Sequence, residues 1–452
     1  MRRRFGSKLA ATVAAACLLC GAIQSAWGAQ IDEKPRASDR LAAEKGFIST
    51  VDTGALCIGA SFDDTAAFQA ALDSGSPVYA PALGGSCNIT KPLMVKTPGQ
   101  LIYGDGRMKT KIMIQPGFSG QGVFVAQTGG PGPVWRDIGV FFVQPDTPTA
   151  SALNPYPPAF FLRGTPGFQL EHMGCYSAIM CIDMKGNSGN STISDLHFSA
   201  FKIGIDIDGS LDTVRIIDPH FFPFTLTPNQ QSIFFNQGAN RTIAINTGRM
   251  DDLVLRGGLF IGGVAINAYQ GATGPTFGSV DGTDFDTFSG IVIAAGSLQI
   301  GTTTFTLGVA DAQAIDQSGG TLTIASSNFF VGAALNKPVI NMSGGALSIS
   351  ASQFNTLAFD ATSIDQSGGG VMTLLGNRFN RAPHQSYKNA TISLRGISRT
   401  IAIGNYTPDK GIGPGVFINV GNDNPFNRLI GNSSPGWPVY VPSSSKGVYL
   451  FN

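Results

Sequence analysis

The sequence predicts an all-β protein that winds into a β-solenoid of roughly 24 residues per coil behind an N-terminal capping helix. The pattern Leu-x-Ile-x4-Phe, with Met and Leu in its last copy, starts at Leu298, Leu322, Leu347 and Met372, at spacings of 24, 25 and 25 residues. Its two-residue alternation is that of a strand. Glycine makes up 58 of 452 residues, about twice the usual share, and charged residues only 13%, which favours short strands and tight turns.

The composition excludes several classes of protein. The formal net charge is +1, which gives no electrostatic reason to expect a nucleic acid as partner. A hydrophobic fraction of 43% supplies a large core and rules out wholesale disorder. No apolar run reaches the roughly 18 residues of a membrane-spanning helix, so no membrane partner is expected after removal of the leader described next.

Residues 1–28 have the pattern of a signal peptide. Residues 2–4 are all arginine, residues 9–23 are apolar, and residues 26–28 form a small-x-small cleavage site. A short membrane anchor and a twin-arginine export signal are the alternatives. The prediction is a secreted or periplasmic protein.

Four cysteines remain beyond this leader. An even number in an oxidising compartment predicts two disulfides, and pairing by proximity joins Cys57 to Cys87 and Cys175 to Cys181. Two other pairings, or buried free thiols, are the alternatives. No cysteine spacing of the zinc-binding type occurs.

The chain divides into a polar lead-in at residues 29–60, the solenoid at residues 61–430 and a C-terminal tail at residues 431–452. The open end of a strand stack exposes apolar surface and unpaired edges, so the solenoid needs a cap.

A helix near residues 65–73 is placed to form that cap. Asp63 or Asp64 is a suitable N-cap, and Phe68 and Leu72 are four residues apart, which puts them on one helical face. The expected helix therefore has one apolar face to lay on the first coil.

The residues around this helix carry a family resemblance. The stretches FDDTAAFQAAL, VYAPALGGSCNI and LIYGDGR resemble the opening of secreted and phage-tail proteins of the pectate-lyase superfamily. The resemblance implies a capping helix followed by a right-handed parallel β-helix. It does not select an activity, because that superfamily includes hydrolases, lyases, epimerases and non-catalytic fibres.

A functional site is expected in the less regular stretch before residue 290, where long loops lie on a rigid scaffold. Two segments there align at an offset of 23 residues, close to one coil. Asp195 and Asp218 are then predicted to stack at adjacent turns, with His197 and His220 pointing outward side by side.

Five more residues are expected to bind substrate around these four. His172 falls in the same column one coil earlier, and Arg215 offers a positive charge. Phe222 belongs to a candidate sugar-stacking platform whose neighbour Phe221 is expected in the core. Asp251 and Asp252 form an acid pair.

Two reactions fit these residues. Glycosidic hydrolysis needs two carboxylates, so Asp195 and Asp218 are predicted to share general acid and base duty while His197 and His220 position substrate or proton. Lyase or epimerase chemistry instead uses a base, either histidine, and a cation such as Arg215 against the uronate carboxylate. A structural polar ladder is the alternative to both.

The predicted function is a secreted carbohydrate-active enzyme that acts on a polysaccharide in a groove of the β-helix, with glycoside hydrolysis slightly favoured. A uronate lyase or C5-epimerase and a non-catalytic polysaccharide-binding protein are the alternatives. No cofactor is predicted. The acidic cluster Asp281, Asp284 and Asp286 could bind Ca²⁺ through oxygen ligands, with a solvated turn as the alternative.

Overall fold

The computed structural model describes residues 46–236, 241–356, 361–381, 389–396, 398–408, 416–421, 427–435, 438–441 and 449–451. The predicted signal peptide, residues 1–28, and the lead-in up to residue 45 lie outside the described residues. None of the helices in the described ranges is long and apolar enough to cross a membrane.

Short strands make up most of the described structure. In chain order the elements of the first half are β1 (Ile48–Ser49), α1 (Thr65–Asp73), β2 (Val78–Ala80), β3 (Ser86–Ile89), β4 (Leu93–Val95), β5 (Leu101–Gly104), β6 (Lys111–Ile114), β7 (Phe124–Ala126), β8 (Val134–Arg136), β9 (Gly139–Phe142), a 3₁₀ helix (Ala150–Ala152), β10 (Phe160–Phe161), β11 (Gln169–Glu171), β12 (Gly174–Asp183), β13 (Ser191–Ser194), β14 (His197–Ile207), β15 (Ser210–Ile217), β16 (His220–Phe221) and α2 (Pro228–Phe234).

The elements that follow α2 are strands throughout. They are β17 (Ile243–Thr247), β18 (Met250–Arg256), β19 (Leu259–Ile261), β20 (Val264–Ala268), β21 (Thr276–Asp281), β22 (Asp284–Asp286), β23 (Ser289–Ile293), β24 (Ser297–Gly301), β25 (Thr304–Leu307), β26 (Gln313–Gln317), β27 (Thr321–Ala325), β28 (Asn328–Val331), β29 (Ile340–Met342), β30 (Ala346–Ser350), β31 (Gln353–Thr356), β32 (Ile364–Gln366), β33 (Gly370–Leu375), β34 (Arg378–Arg381), β35 (Ile392–Leu394), β36 (Ser398–Ile403), β37 (Ile418–Val420), β38 (Arg428–Ile430), β39 (Val439–Tyr440) and β40 (Tyr449–Phe451).

These strands stack in three parallel ladders, which are the three faces of each coil. Face one is the ladder from β1 through β2, β5 and β8 to β40. Face two runs from β3, β6 and β9 through the first halves of β12 and β14 to β16, β19 and on to β34. Face three runs from β4, β7 and β10 through the second halves of β12 and β14 to β17 and on to β39. The predicted all-β solenoid is confirmed.

The predicted repeat is the register of the core. Leu298 pairs with Leu322, then Leu347 and Met372, on face one. On face two the rings of Phe305, Phe329, Phe354 and Phe379 stack with centroids 4.8, 4.5 and 4.7 Å apart. Equal spacing along the chain thus places equal residues above one another, so the core is a set of apolar columns.

The helix α1 begins beside two aspartates with different tasks. Asp63 accepts a hydrogen bond from the backbone N–H of Thr65 in the first turn, at 3.0 Å. The buried carboxylate of Asp64 accepts from the backbone N–H groups of Cys57 and Asn88 instead, at 3.0 and 2.9 Å. Phe68 and Leu72 are buried on the face that the spacing predicts.

The parallel ladder extends past both predicted ends of the solenoid. In the lead-in, β1 pairs with β2. In the tail, β39 and β40 pair with β37 and β38. The bounds 61–430 were too narrow because strands of two or three residues carry too little alternation to be recognised.

Both disulfides predicted by proximity are present. Cys57 is bonded to Cys87, and Cys175 is bonded to Cys181. The first ties the segment before α1 to β3, and the second joins two points of the long strand β12.

Candidate functional site

Each coil turns from face one to face two through a residue with left-handed backbone. In successive coils this residue is Asp137, His172, Asp195, Asp218 and Gly257, with φ of 59°, 52°, 48°, 49° and 63°. Glycine adopts this conformation without steric cost, and aspartate and histidine tolerate it better than most residues. Asp195 and Asp218 therefore lie at adjacent turns, as the offset of 23 residues predicts.

The first outward column of face two begins two residues after this turn. It contains Gly139, Gly174, His197, His220 and Leu259, each paired with the next. The rings of His197 and His220 lie edge to face with centroids 5.0 Å apart. The two imidazoles are thus neighbours on the outer surface, as predicted.

Asp195 holds one of these histidines and is held by a distant arginine. Its Oδ1 lies 3.2 Å from Nε2 of His197. Its Oδ2 lies 2.8 Å from Nη1 of Arg107, which also donates to the Asp195 carbonyl oxygen at 2.9 Å. The arginine therefore fixes both the carboxylate and the turn that carries it.

Tyr176 brings a phenol to the same column because Gly174 has no side chain. A Cβ on Gly174 would lie 2.5 Å from Cε2 of Tyr176 and 2.9 Å from its hydroxyl. Since Gly174 pairs with His197, the phenol lies next to the imidazole pair. The ring of Phe141 fills the space over Gly139 in the same way and packs against Tyr176 at 4.7 Å.

Phe222 covers the other side of the pair. Its ring centroid is 4.4 Å from that of His220 and 5.6 Å from that of His197. Phe221 points inward, as expected, and packs on Phe198 and Phe234 in the core.

Burial sets the protonation of the cluster. It lowers the pKa of His197 to about 4, with the positive charge of Arg107 acting in the same direction and the carboxylate of Asp195 opposing. Burial and Arg107 also lower the pKa of His220, whose Nε2 has no hydrogen-bond partner within the described part of the chain. Burial raises the pKa of Tyr176 to about 12. Near neutral pH the cluster therefore offers neutral imidazoles and a protonated phenol.

Asp218 lies outside this network. A Cβ on Gly257, in the following coil, would lie 2.0 Å from Asp218 Oδ1, so the carboxyl leans toward the coil beyond. Asp195 is engaged with Arg107 from an earlier coil. The two carboxylates thus point to opposite neighbours, although their backbones stack.

Four other predicted site residues also have separate surroundings. His172 is exposed, with Nδ1 3.6 Å from Asp137. Arg215 lies outward on face one, around the turn from the histidines. Asp251 pairs with Arg249 and Asp252 accepts from Thr213. Both aspartates lie at the start of β18, roughly 15 Å along the strand from the turn.

The acidic cluster is not gathered into a metal site. Asp281 ends β21 on face one and accepts a hydrogen bond from Thr302, while Asp284 and Asp286 lie on β22 of face two. Among the described residues, the one group close enough to hold a metal is Cys57, Asp64 and Cys87, and its cysteines form a disulfide. The expected Ca²⁺ cluster is therefore divided by the turn between two faces.

Sequence reasoning missed Arg107 and Tyr176. Tyr176 had a signal, since Gly-x-Phe at 139–141 and Gly-x-Tyr at 174–176 place a ring beside a glycine of the same outward face. Arg107 had none. It lies in the turn between β5 and β6, 88 residues from Asp195, and the coils in between differ in length.

No family model and no curated protein matches the sequence. Among solved structures, gene product 12 of bacteriophage phi29 matches with a TM-score of 0.50 and 12% identity over 88% of this chain and 66% of that one, slightly under two thirds of its length. The catalytic unit of a GH87 α-1,3-glucanase from Streptomyces thermodiastaticus matches with a TM-score of 0.46 and 13% identity over 92% of this chain and 72% of that one. Tailspike protein 3 of bacteriophage CBA120 matches with a TM-score of 0.48 and 12% identity over 93% and 62%. The chain has the right-handed parallel β-helix fold found in the pectate-lyase superfamily.

Proposed function

We propose that this chain acts on a uronate-containing polysaccharide by removing a proton from the sugar, as a lyase or a C5-epimerase. The observation that carries the proposal is the His197–His220 pair, with rings 5.0 Å apart, set between Asp195, Arg107 and Tyr176. The predicted leader at residues 1–28 would export such an enzyme to polysaccharides outside the cell.

The proposed reaction assigns one step to each group. His197 is the base: Asp195 faces its Nε2, which leaves Nδ1 to accept the C5 proton. Arg107 stabilises the negative charge that then grows on the uronate carboxylate. In a lyase the C4–O bond breaks, a C4=C5 double bond forms, and Tyr176 gives its proton to the leaving oxygen. In an epimerase the proton returns to C5 from the opposite side.

The surroundings of the carboxylates favour this reaction over the hydrolysis that the sequence slightly favoured. Hydrolysis needs two carboxyl groups that face each other across one glycosidic bond. Asp195 is bound to Arg107, while Asp218 leans away from it over Gly257. The neutral histidines supply a base without a second carboxylate.

The experiment that tests the function is incubation with neutral and uronate polysaccharides. A lyase produces new reducing ends together with the ultraviolet absorbance of an unsaturated uronate. An epimerase produces neither, but it exchanges the C5 proton with deuterated solvent, which NMR detects. New reducing ends without absorbance would contradict the proposal in favour of hydrolysis. Reversible binding without any of these changes would identify a binding protein.

The pH dependence of turnover separates the two reactions. Because the pKa of His197 is lowered to about 4, the base is neutral above that pH, and activity should rise through an acid limb near pH 4. Because the pKa of Tyr176 is raised to about 12, the acid stays protonated, and activity should persist to alkaline pH for as long as the protein is folded. A profile of kcat/KM against pH that falls again below neutrality would argue for a carboxylic acid as the proton donor.

The two aspartates should respond differently to amide substitution. Asp195→Asn removes the carboxylate that orients His197, so we expect kcat to fall on the order of 10²–10⁴-fold. Asp218→Asn should change kcat less than about fivefold, since an exposed charge contributes little. Steady-state kinetics of both variants make the comparison. If Asp218→Asn is the inactive one, the pair prediction made from sequence is right and the histidine mechanism is wrong.

A further inference from the structure

We propose that Phe224 forms a stacking subsite for the sugar next to the reacting one. The subsite deepens the proposed function and rests on it for the identity of the sugar. Phe224 lies two residues beyond Phe222, whose ring covers His220. It is thus the first residue of the loop after β16 that could extend the site away from the imidazole pair.

Three phenylalanines at the end of face two have three different environments. Phe221 is buried in the core and Phe222 is buried against the histidines. Phe224 keeps 44% of its surface exposed, although its ring centroid is only 5.9 Å from that of Phe222. Two ring-to-ring steps, of 5.9 and 4.4 Å, separate it from His220, a path that a neighbouring sugar can span.

The loop that carries Phe224 is anchored on both sides. Thr225 Oγ1 lies 3.1 Å from Ser199 Oγ on face two, and the N–H of Leu226 donates to the carbonyl of Pro223 at 2.9 Å. Directly after, Thr227 caps the helix α2 and also donates to Asp146 at 2.5 Å. The exposed ring is therefore held in place before any ligand arrives, which lowers the entropic cost of binding.

A second contact ties this loop to the other long insertion. In α2, the buried side chain of Gln230 donates to the carbonyl of Pro145 at 3.0 Å. The insertions at residues 144–158 and 222–234 thus support each other beside face two. An exposed aromatic ring on such a support suits the flat, C–H-rich face of a pyranose, whose apolar surface stacks on aromatic rings.

The test compares Phe224→Ala with Phe277→Ala. Phe277 is a matched control, since it is 47% exposed but lies on face one. For an oligouronate long enough to reach the subsite, we expect Phe224→Ala to raise KM roughly 3–10-fold while kcat stays near that of the unmodified protein. Phe277→Ala should leave both values unchanged. Phe224→Tyr keeps the ring and should restore KM, which a mere packing role would not require.

Affinity electrophoresis in gels that contain the same polysaccharide separates this proposal from the function itself. If the protein turns over no uronate polymer but Phe224→Ala weakens its retention, the subsite stands and the proposed chemistry fails. If turnover is found and Phe224→Ala matches Phe277→Ala in KM and in retention, the subsite is overturned and the chemistry stands. A protein that neither binds nor converts any of the polymers overturns both.

Discussion

The variant His197→Ala is expected to lose roughly 10²–10⁴ of the turnover of a uronate polysaccharide, because it removes the general base. The imidazole is the half-exposed member of the pair, and Asp195 lies 3.2 Å from its Nε2. His220 is unsuited to replace it, since its own Nε2 is buried. Substrate binding should change little, since Arg107 and Phe222 remain.

Steady-state kinetics and a binding assay should therefore separate in this variant, with kcat lost and polymer affinity kept. His197→Gln provides a second test that preserves polarity. The control is Asp316→Asn on face three, where the carboxylate only accepts a hydrogen bond from Asn341 at 2.9 Å. Circular dichroism verifies the fold. Full turnover in folded His197→Ala would exclude this histidine as the base.

The variant Phe329→Ala is expected to destabilise the protein by about 3–5 kcal/mol, the usual cost of deleting a buried ring. Phe329 is fully buried between the rings of Phe305 and Phe354, with centroids 4.8 and 4.5 Å away. A coil above and a coil below hold the column in place, so the cavity cannot close by a small shift.

The adjacent residue provides the matched control. Phe330 is 45% exposed on the outer side of the same strand, β28. Phe330→Ala should therefore change stability by less than about 0.5 kcal/mol. Urea unfolding followed by circular dichroism gives both values. Equal midpoints for the two variants would mean that the alternation assigned to β28 is wrong.

Much of the fold could be predicted because a solenoid repeats its own environment. Leu322, Leu347 and Met372 meet because their spacing equals one coil, and each predicts the position of the next. The offset of 23 residues placed His197 beside His220 by the same reasoning. Local pairing of cysteines succeeded because the partners lie within about one coil of each other.

Prediction failed where side chains cross between coils of unequal length. Arg107 reaches Asp195 over 88 residues, which include the long insertion after β9, so no constant period connects them. Asp218 was expected to face Asp195, but the space over Gly257 receives its carboxyl instead. The Ca²⁺ cluster failed because one turn sends neighbouring acids to different faces.

The amino-acid sequence by itself determined the winding of the backbone, the inward and outward residues of each strand and the columns in which they stack. Those properties follow from a short period that every coil repeats. The tertiary structure alone decided which outward groups touch. That outcome depends on the direction of each side chain and on the empty space over glycines in adjacent coils, and neither quantity is local in the chain.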